Sequence, residues 1–523
     1  MVTGVYPAAR SSVGGTGNGD ARRFREGDLA LVAAIALQIL EFSYAYPATV
    51  LKIFLVSICT FPGRATYLPA LFVCQFFASD FLLQGFTSYE YLLERHEEAR
   101  VMILGFPITT NYAFALCLTA RVLHEAITRP RTFAGIISPW WLALWASCFI
   151  PAVLAALLGK VEQKFSWTAP VRDVMMVGCL FYGMLISRNK EETIAVIQRR
   201  VVPLACVLIT LAMFGYFYSR GMYFIAAFGP ALFLSRRAIG GNPSRWIGYA
   251  YYAGLATCYA FALYPTAYGA QVAQSLYSTS GNSFALVISW VTAVGISLFL
   301  PRLSTNMIGR RSLLSQLPWV AGLVATLFPI VFALVSYSFT VDIPRVKDIY
   351  ELSTQDRFMY KLFYDRAPIW RGAFDEVLKP PFFLKSGGLT AGYKLMLNGD
   401  KVPWPAGSHS LVLEELRRNG WYSGLVCLLL IIRANVFSLR AVIFADHPLV
   451  RAFAVASFSS LFILTLTSHI PMETNAALWA LGLAGMCAFL VQGGRAATAD
   501  VRSRSPLAQS PWQIAGHRGA FAH

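Results

Sequence analysis

The chain has 523 residues, of which 56% are hydrophobic and 14% charged, with a mean hydropathy of +0.53. That balance excludes an ordinary soluble globular domain, in which about a quarter of residues are charged. Lys and Arg number 44 against 27 Asp and Glu, a formal charge of +17, but the basic residues sit in short loops between apolar runs, so membrane topology accounts for them without a nucleic-acid partner.

Residues 1–27 are rich in Gly and Ser and end in Arg22, Arg23 and Arg25. No small-residue cleavage pattern follows, which predicts a disordered, uncleaved cytoplasmic tail. Apolar segments then run at about 28–46, 48–61, 65–86, 101–123, 136–159, 173–188, 201–218, 222–235, 247–269, 284–301, 317–339, 422–441, 450–469 and 473–493. Most are long enough to cross a hydrocarbon core of about 30 Å; those at 48–61 and 222–235 are short. The nine cysteines all lie within or at the edge of these runs, none in C-x-x-C spacing, and read as small core residues.

Loop charges orient the spans. With the N-terminus inside, the inside loops hold Arg64; Arg121, Arg129 and Arg131; Arg188, Lys190, Arg199 and Arg200; Arg236, Arg237 and Arg245; Arg302, Arg310 and Arg311; Arg440 and Arg451. The outside loops are poorer in Lys and Arg or balanced by acids, as at Glu90, Glu94, Glu97 and Glu98. The expected fold is an all-α polytopic membrane protein of about 12–14 transmembrane helices with one extracytoplasmic, mostly helical loop domain. An N-terminal bundle of about eleven spans covers 28–339, the loop domain 340–421, the C-terminal helices 422–493, and a second disordered cytoplasmic tail 494–523. Within the spans, Glu41, Asp80 and His469 are the ionisable residues nearest to apolar sequence, and no role follows for them.

The long loop carries most of the chemistry. Its first part, Ile349 to Lys379, has Ile369, Ala373, Phe374 and Val377 at helical spacing, stopped by Pro380-Pro381, and Ser386-Gly387-Gly388 opens a turn. Further on, Ser408 reads as an N-cap, His409 as the start of a helix, Asn419-Gly420 as its stop, and Arg417 and Arg418 as last-turn partners of the dipole. The positive end of a helix dipole disfavours an imidazolium, so His409 is expected to be neutral and able to accept a proton. A capping histidine without chemistry is the alternative.

Two arginines accompany it. Ser219-Arg220-Gly221 interrupts apolar sequence between the seventh and eighth spans, on the loop's side of the membrane. Arg366 opens Arg-Ala-Pro-Ile-Trp, which sets Trp370 one turn later as a flat apolar wall beside an anion. Both guanidiniums could fork onto phosphate oxygens. Snorkelling of Arg220 to headgroups, and an ion pair of Arg366 with Asp365 or Glu376, are the plainer readings.

At these residues the chain resembles the superfamily of O-antigen ligases and O-antigen polymerases, the C-type membrane glycosyltransferases. The likeness rests on His409-Ser410, then Gly420-x-x-x-Gly424 leading into a span, preceded by Arg366-x-x-x-Trp370 and a Gly-Gly turn, and by Ser219-Arg220-Gly221 at a span end. It covers about residues 200 to 440. The resemblance implies an enzyme of the bacterial inner membrane, both termini cytoplasmic and the active loop periplasmic. Such an enzyme transfers glycan with inversion from an undecaprenyl-diphosphate carrier to an acceptor hydroxyl on a growing polysaccharide or a lipid A core.

On that resemblance His409, Arg220 and Arg366 are the catalytic candidates, and Arg371, Trp370, Ser410, Ser219 and Lys385 the candidates for holding diphosphate or glycan. No metal and no cofactor are implied, the lipid-linked glycan being the donor substrate. The implied partners are the lipid bilayer, the donor, the acceptor, and chain-length or export proteins. A lipid-linked glycan flippase or polysaccharide transporter is the competing expectation, although such proteins usually show paired halves and midplane charges.

Overall fold

A computed structural model describes residues 17–41, 43–76, 101–103, 106–108, 110–150, 174–175, 177–201, 203–204, 227–232, 234–235, 292–297, 367–380, 382–383, 393–397, 400–404, 408, 410–445, 447–467, 481–488 and 490. These residues are predominantly helical, as expected from sequence. The segments at 247–269 and 317–339, with most of 201–218 and 284–301, lie outside them.

Helix α1 (Gly17–Leu40) starts about ten residues before the expected span, so residues 17–27, read as tail, are helical. The run from Ala21 to Glu26 consists of residues that tolerate helix well, between Gly17 and Gly19 at the helix start and Gly27 after it. Gly27 has a packing reason: a Cβ there would meet Thr66 O at 2.5 Å. Helix α2 (Ala45–Thr60) follows, with Pro47 in its first turn, and a short 3-10 turn (Ala65–Tyr67) leads into α3 (Leu68–Phe76). These elements pack on one another.

The expected span at 101–123 divides. Its start forms a small antiparallel hairpin, β1 (Val101–Ile103) with β2 (Phe106–Ile108), and α4 (Thr110–Thr128) supplies the rest. Gly105 and Pro107 are poor helix formers, which the apolar count had overridden. Helices α5 (Pro130–Ile136) and α6 (Pro139–Ser147) begin on prolines at the position that tolerates them. Helices α7 (Cys179–Ile186) and α8 (Lys190–Val196, N-capped by Asn189) complete the N-terminal part.

In the loop region, α9 (Ala367–Val377) packs against the hairpin of β3 (Tyr393–Leu397) and β4 (Asp400–Trp404). The sequence between the strands is Asn398-Gly399, the dipeptide that most favours a two-residue hairpin, so this departure from an all-α loop had a local signal. Helix α10 (Leu411–Phe444) then packs on α11 (Pro448–Thr467), and residues 481–488 are also helical.

Among the described residues, one helix, Gly420–Phe444, is long and apolar enough to cross a membrane. Tyr46–Thr60, Ala65–Cys74 and Pro448–Leu461 are apolar but shorter. One apolar core joins α1 to α7, α10, α11 and 481–490. The backbones come unusually close where α7 meets residues 481–488. A Cβ on Gly183 would lie 1.9 Å from Gly482 O, and one on Gly485 2.0 Å from Leu180 O. Small residues at such contacts let helices associate through van der Waals packing. The seven described cysteines form no disulfide, and all but Cys117 are buried.

Apolar side chains also cover the outer faces of α1 and α2. Leu29, Val32 and Ile39 on α1 and Phe54 and Ile58 on α2 are 59–65% exposed, whereas Glu41 and Lys52 between the same helices are 4% and 2% exposed. Lys52 pairs with Glu41, which also accepts from Gln38 Nε2 at 3.0 Å and Thr49 Oγ1 at 3.4 Å.

Arginines from separate segments, each expected on the inside, pair with acids of α1 and α4. Glu125 is faced by Arg121 at 2.7 Å, Arg129 at 3.6 Å and Arg188 at 4.0 Å. Arg64 lies 3.6 Å from Glu26. Arg200 forks onto Asp28 with bonds of 2.7 and 2.8 Å, and that hydrogen bonding holds its guanidinium above the usual range.

Candidate functional site

Helix α10 begins later than the sequence suggested. Its first residue is Leu411 and its N-cap is Ser410, whose side chain accepts from Leu413 N–H at 3.5 Å. Ser408, expected as the cap, instead donates its hydroxyl to Ser410 O at 3.1 Å and its backbone N–H to Glu414 Oε2 at 2.9 Å. Ser410 has the extended backbone of an N-cap, φ −143° and ψ 121°, and so wins the position.

Glu414 is the centre of this arrangement. Its carboxylate sits in the first turn, where the helix dipole favours negative charge, and reaches back outside the helix to Ser408. It also accepts from Arg417 Nη2 at 2.7 Å and Nε at 3.3 Å. Arg417, in the last turn before the break at Gly420, is also a buried partner of Glu414, 5% against 1% exposed. His409 lies outside the described residues, but both of its neighbours, Ser408 and Ser410, are fully buried and tied to this clasp.

The expected stop at Asn419-Gly420 holds, as a sharp hinge. Gly420 stands at φ 75° and ψ 178°, where the helix of residues 411–419 meets the long apolar helix that runs to Phe444. Leu416 and Gly424 would be about 12 Å apart on a straight helix at 1.5 Å per residue. In fact a Cβ on Gly424 would lie 2.8 Å from Leu416 Cα. Residues 411–419 thus fold back on the long helix, and Val412 and Leu416 share an apolar cluster with Val377, Leu428, Ile432 and Val436. The segment after α9 crosses the hinge: Trp421 N–H donates to Phe382 O at 2.8 Å, Trp421 Nε1 to Val377 O at 3.2 Å, and the Phe382 and Trp421 rings are 5.7 Å apart. Both glycines of the Gly420-x-x-x-Gly424 pattern consequently have geometric work.

The other candidates divide between described and undescribed residues. Trp370, on α9, is 1% exposed and packed into the protein. Arg371 beside it is half-buried, and Ser410 is the helix cap. Glu376, considered as a partner for Arg366, pairs with Lys379. Arg220, Arg366, Ser219 and Lys385 lie outside the described residues, as does His409 itself. The structure therefore brings Ser410 and the α9 residues onto the same helix pair without giving the positions of the two candidate arginines.

Sequence reading passed over two features. One is Glu414, whose spacing from Ser410 signalled a first-turn acid. The other is Arg433, a guanidinium inside the long apolar helix, over the Trp141 ring at 4.3 Å and the Phe437 ring at 4.6 Å. No protein-family model matches the chain, and no curated protein or solved structure matches it.

Proposed function

We propose that this protein is a multi-pass inner-membrane glycosyltransferase of the O-antigen ligase and polymerase type. It transfers glycan from an undecaprenyl-diphosphate carrier to an acceptor hydroxyl on the periplasmic side. The observation that carries the reading is the clasp around His409: buried, hydrogen-bonded neighbours on both sides, at the start of a segment folded onto a helix of membrane length. A histidine between two such neighbours, close in sequence to a helix of membrane length, suits a donor whose diphosphate is anchored in lipid.

The membrane assignment is supported by the outward apolar faces of α1 and α2 around an inward Glu41–Lys52 pair, an arrangement that lipid tolerates and water does not. The pairing of Arg64, Arg121, Arg129, Arg188 and Arg200 with acids of α1 and α4 supports a shared cytoplasmic side for their loops.

In the proposed reaction the acceptor oxygen attacks the anomeric carbon. A new glycosidic bond forms as the bond to the diphosphate oxygen breaks with inversion. His409 takes the proton of the attacking hydroxyl, and the electron pair leaves on undecaprenyl diphosphate. Arg220 and Arg366 bind the diphosphate and stabilise charge that grows on it in the transition state. Arg371, Trp370, Ser410, Ser219 and Lys385 are assigned to the surrounding donor site, with Ser410 acting through the cap that fixes its neighbour.

The test uses cells lacking the protein, complemented at equal membrane levels with His409→Ala, Arg220→Ala or Arg366→Ala. Loss of long-chain or lipid A-linked glycan, with accumulation of lipid-linked units, is expected for each. Wild-type surface glycan in all three variants would overturn the catalytic assignment. Units trapped on the cytoplasmic face would replace it with a flippase.

A further inference from the structure

Arg433 lies thirteen residues from Gly420 and eleven from Phe444, well inside the helix of membrane length. A cation at such a place is costly and usually has a partner or a role. Among the described residues no carboxylate pairs with it and no acceptor bonds it. Its contacts are the faces of two rings, Trp141 from α6 and Phe437 one turn further along its own helix. Ring faces attract the charge but accept no N–H···O bond, so the planar fork of donors remains available while the charge is held in place.

Three observations give the ligand its class. A fixed guanidinium fork matches the oxygens of phosphate. Arg440, two turns towards Phe444, is near enough to act on Arg433 electrostatically, which places a second positive charge on the approach from that end. Trp141 belongs to the start of α6, where its neighbour Trp140 is 81% exposed, as an aromatic residue at a membrane interface would be.

We propose that Arg433, with Arg440 behind it, binds the phosphate of an anionic lipid headgroup that enters between α6 and α10 from the Phe444 end. The rings that hold Arg433 belong to Trp141 and Phe437, not to the Ser408–Arg417 clasp, so the proposed site is separate from the one around His409. The inference rests on the membrane reading above but not on glycosyl transfer.

The test uses the full-length protein in detergent, first established as integral by its retention in carbonate-washed membranes. Release by that wash overturns the membrane reading and this inference with it. For retained protein, binding of phosphatidylglycerol, phosphatidylcholine and inorganic phosphate is measured by native mass spectrometry and by the shift in thermal unfolding. Wild type should prefer phosphatidylglycerol to phosphatidylcholine at least fivefold. Arg433→Gln should lose that preference, Arg433→Lys should retain part of it, and Trp141→Leu should weaken it with the charge intact. An undiminished preference in a folded Arg433→Gln variant overturns the site. If that variant does not fold, an undiminished preference in Trp141→Leu does so. Equal protection by inorganic phosphate would overturn the lipid assignment.

Discussion

The carboxylate of Glu414 accepts the backbone N–H of Ser408 at 2.9 Å, bridging the residue between Ser408 and the Ser410 cap. The bridge converts a loop-to-helix junction into a fixed point, and Arg417 locks the bridging acid in turn. A general base must stand within hydrogen-bond reach of its proton, so under the proposed mechanism the junction beside His409 would bear on rate although Glu414 itself takes no proton.

Glu414→Gln keeps an acceptor for Ser408 but weakens the Arg417 pair. Glu414→Ala leaves the Arg417 guanidinium buried with that partner removed, a change that costs about 3–5 kcal/mol. Glu414→Ala is expected to unfold well below wild type by scanning fluorimetry. Glu414→Gln should remain folded and lose glycan transfer in proportion to the disturbance of the junction. Full transfer by Glu414→Ala would show that the clasp does not position the histidine.

Removal of the cap itself is milder. Ser410→Ala deletes the acceptor for Leu413 N–H, and loss of an N-cap costs about 1 kcal/mol. The same deletion at Ser408 removes a hydroxyl that donates to Ser410 O. Comparison of the two unfolding midpoints checks the corrected cap: Ser410→Ala should be the more destabilised at the helix start by hydrogen exchange at Leu413.

Much of this helix was legible in sequence, but its turns of direction were not. Ser410, Glu414 and the Gly420-x-x-x-Gly424 spacing are local signals, and they locate an N-terminus and a break. Whether a break ends a helix or folds it back depends on what the far side packs against, here Leu416 on Gly424 and the Phe382–Phe383 backbone on Gly420. Long-range contacts of that kind leave no mark in a window of neighbouring residues. The 101–123 segment shows the converse failure: apolar content outweighed Gly105 and Pro107, although both argued locally against a continuous helix. The catalytic candidates His409, Arg220 and Arg366 remain sequence inferences, because their positions lie outside the described residues.

The hinge provides a separate test. Gly420 occupies a backbone region open essentially to glycine, where another residue costs about 1–3 kcal/mol, and a Cβ would meet Phe383 O at 2.7 Å. Gly420→Ala should therefore lower the unfolding midpoint and expose the 411–419 segment to protease. Gly183→Leu should act differently, parting α7 from residues 481–488 and reducing folded yield while the protease pattern at 411–419 stays as in wild type.

Two ion pairs of the N-terminal helices, Asp28–Arg200 and Glu41–Lys52, should diverge in their cost. Asp28 and Arg200 are 47% and 37% exposed, so Asp28→Asn should change stability by no more than about 1 kcal/mol. Lys52→Met removes the cation beside the buried Glu41 carboxylate and should cost about 3–5 kcal/mol, Gln38 and Thr49 still being among its donors. Replacement of both, Glu41→Leu with Lys52→Met, should recover most of the loss, since packed apolar residues replace buried pairs at little cost. The midpoints of the three variants and of wild type, measured by scanning fluorimetry in detergent, decide it. Recovery of stability with loss of glycan transfer would show that the Glu41–Lys52 pair is retained for function. Failure to recover would show instead that the Gln38, Thr49, Glu41 and Lys52 network is what joins α1 to α2.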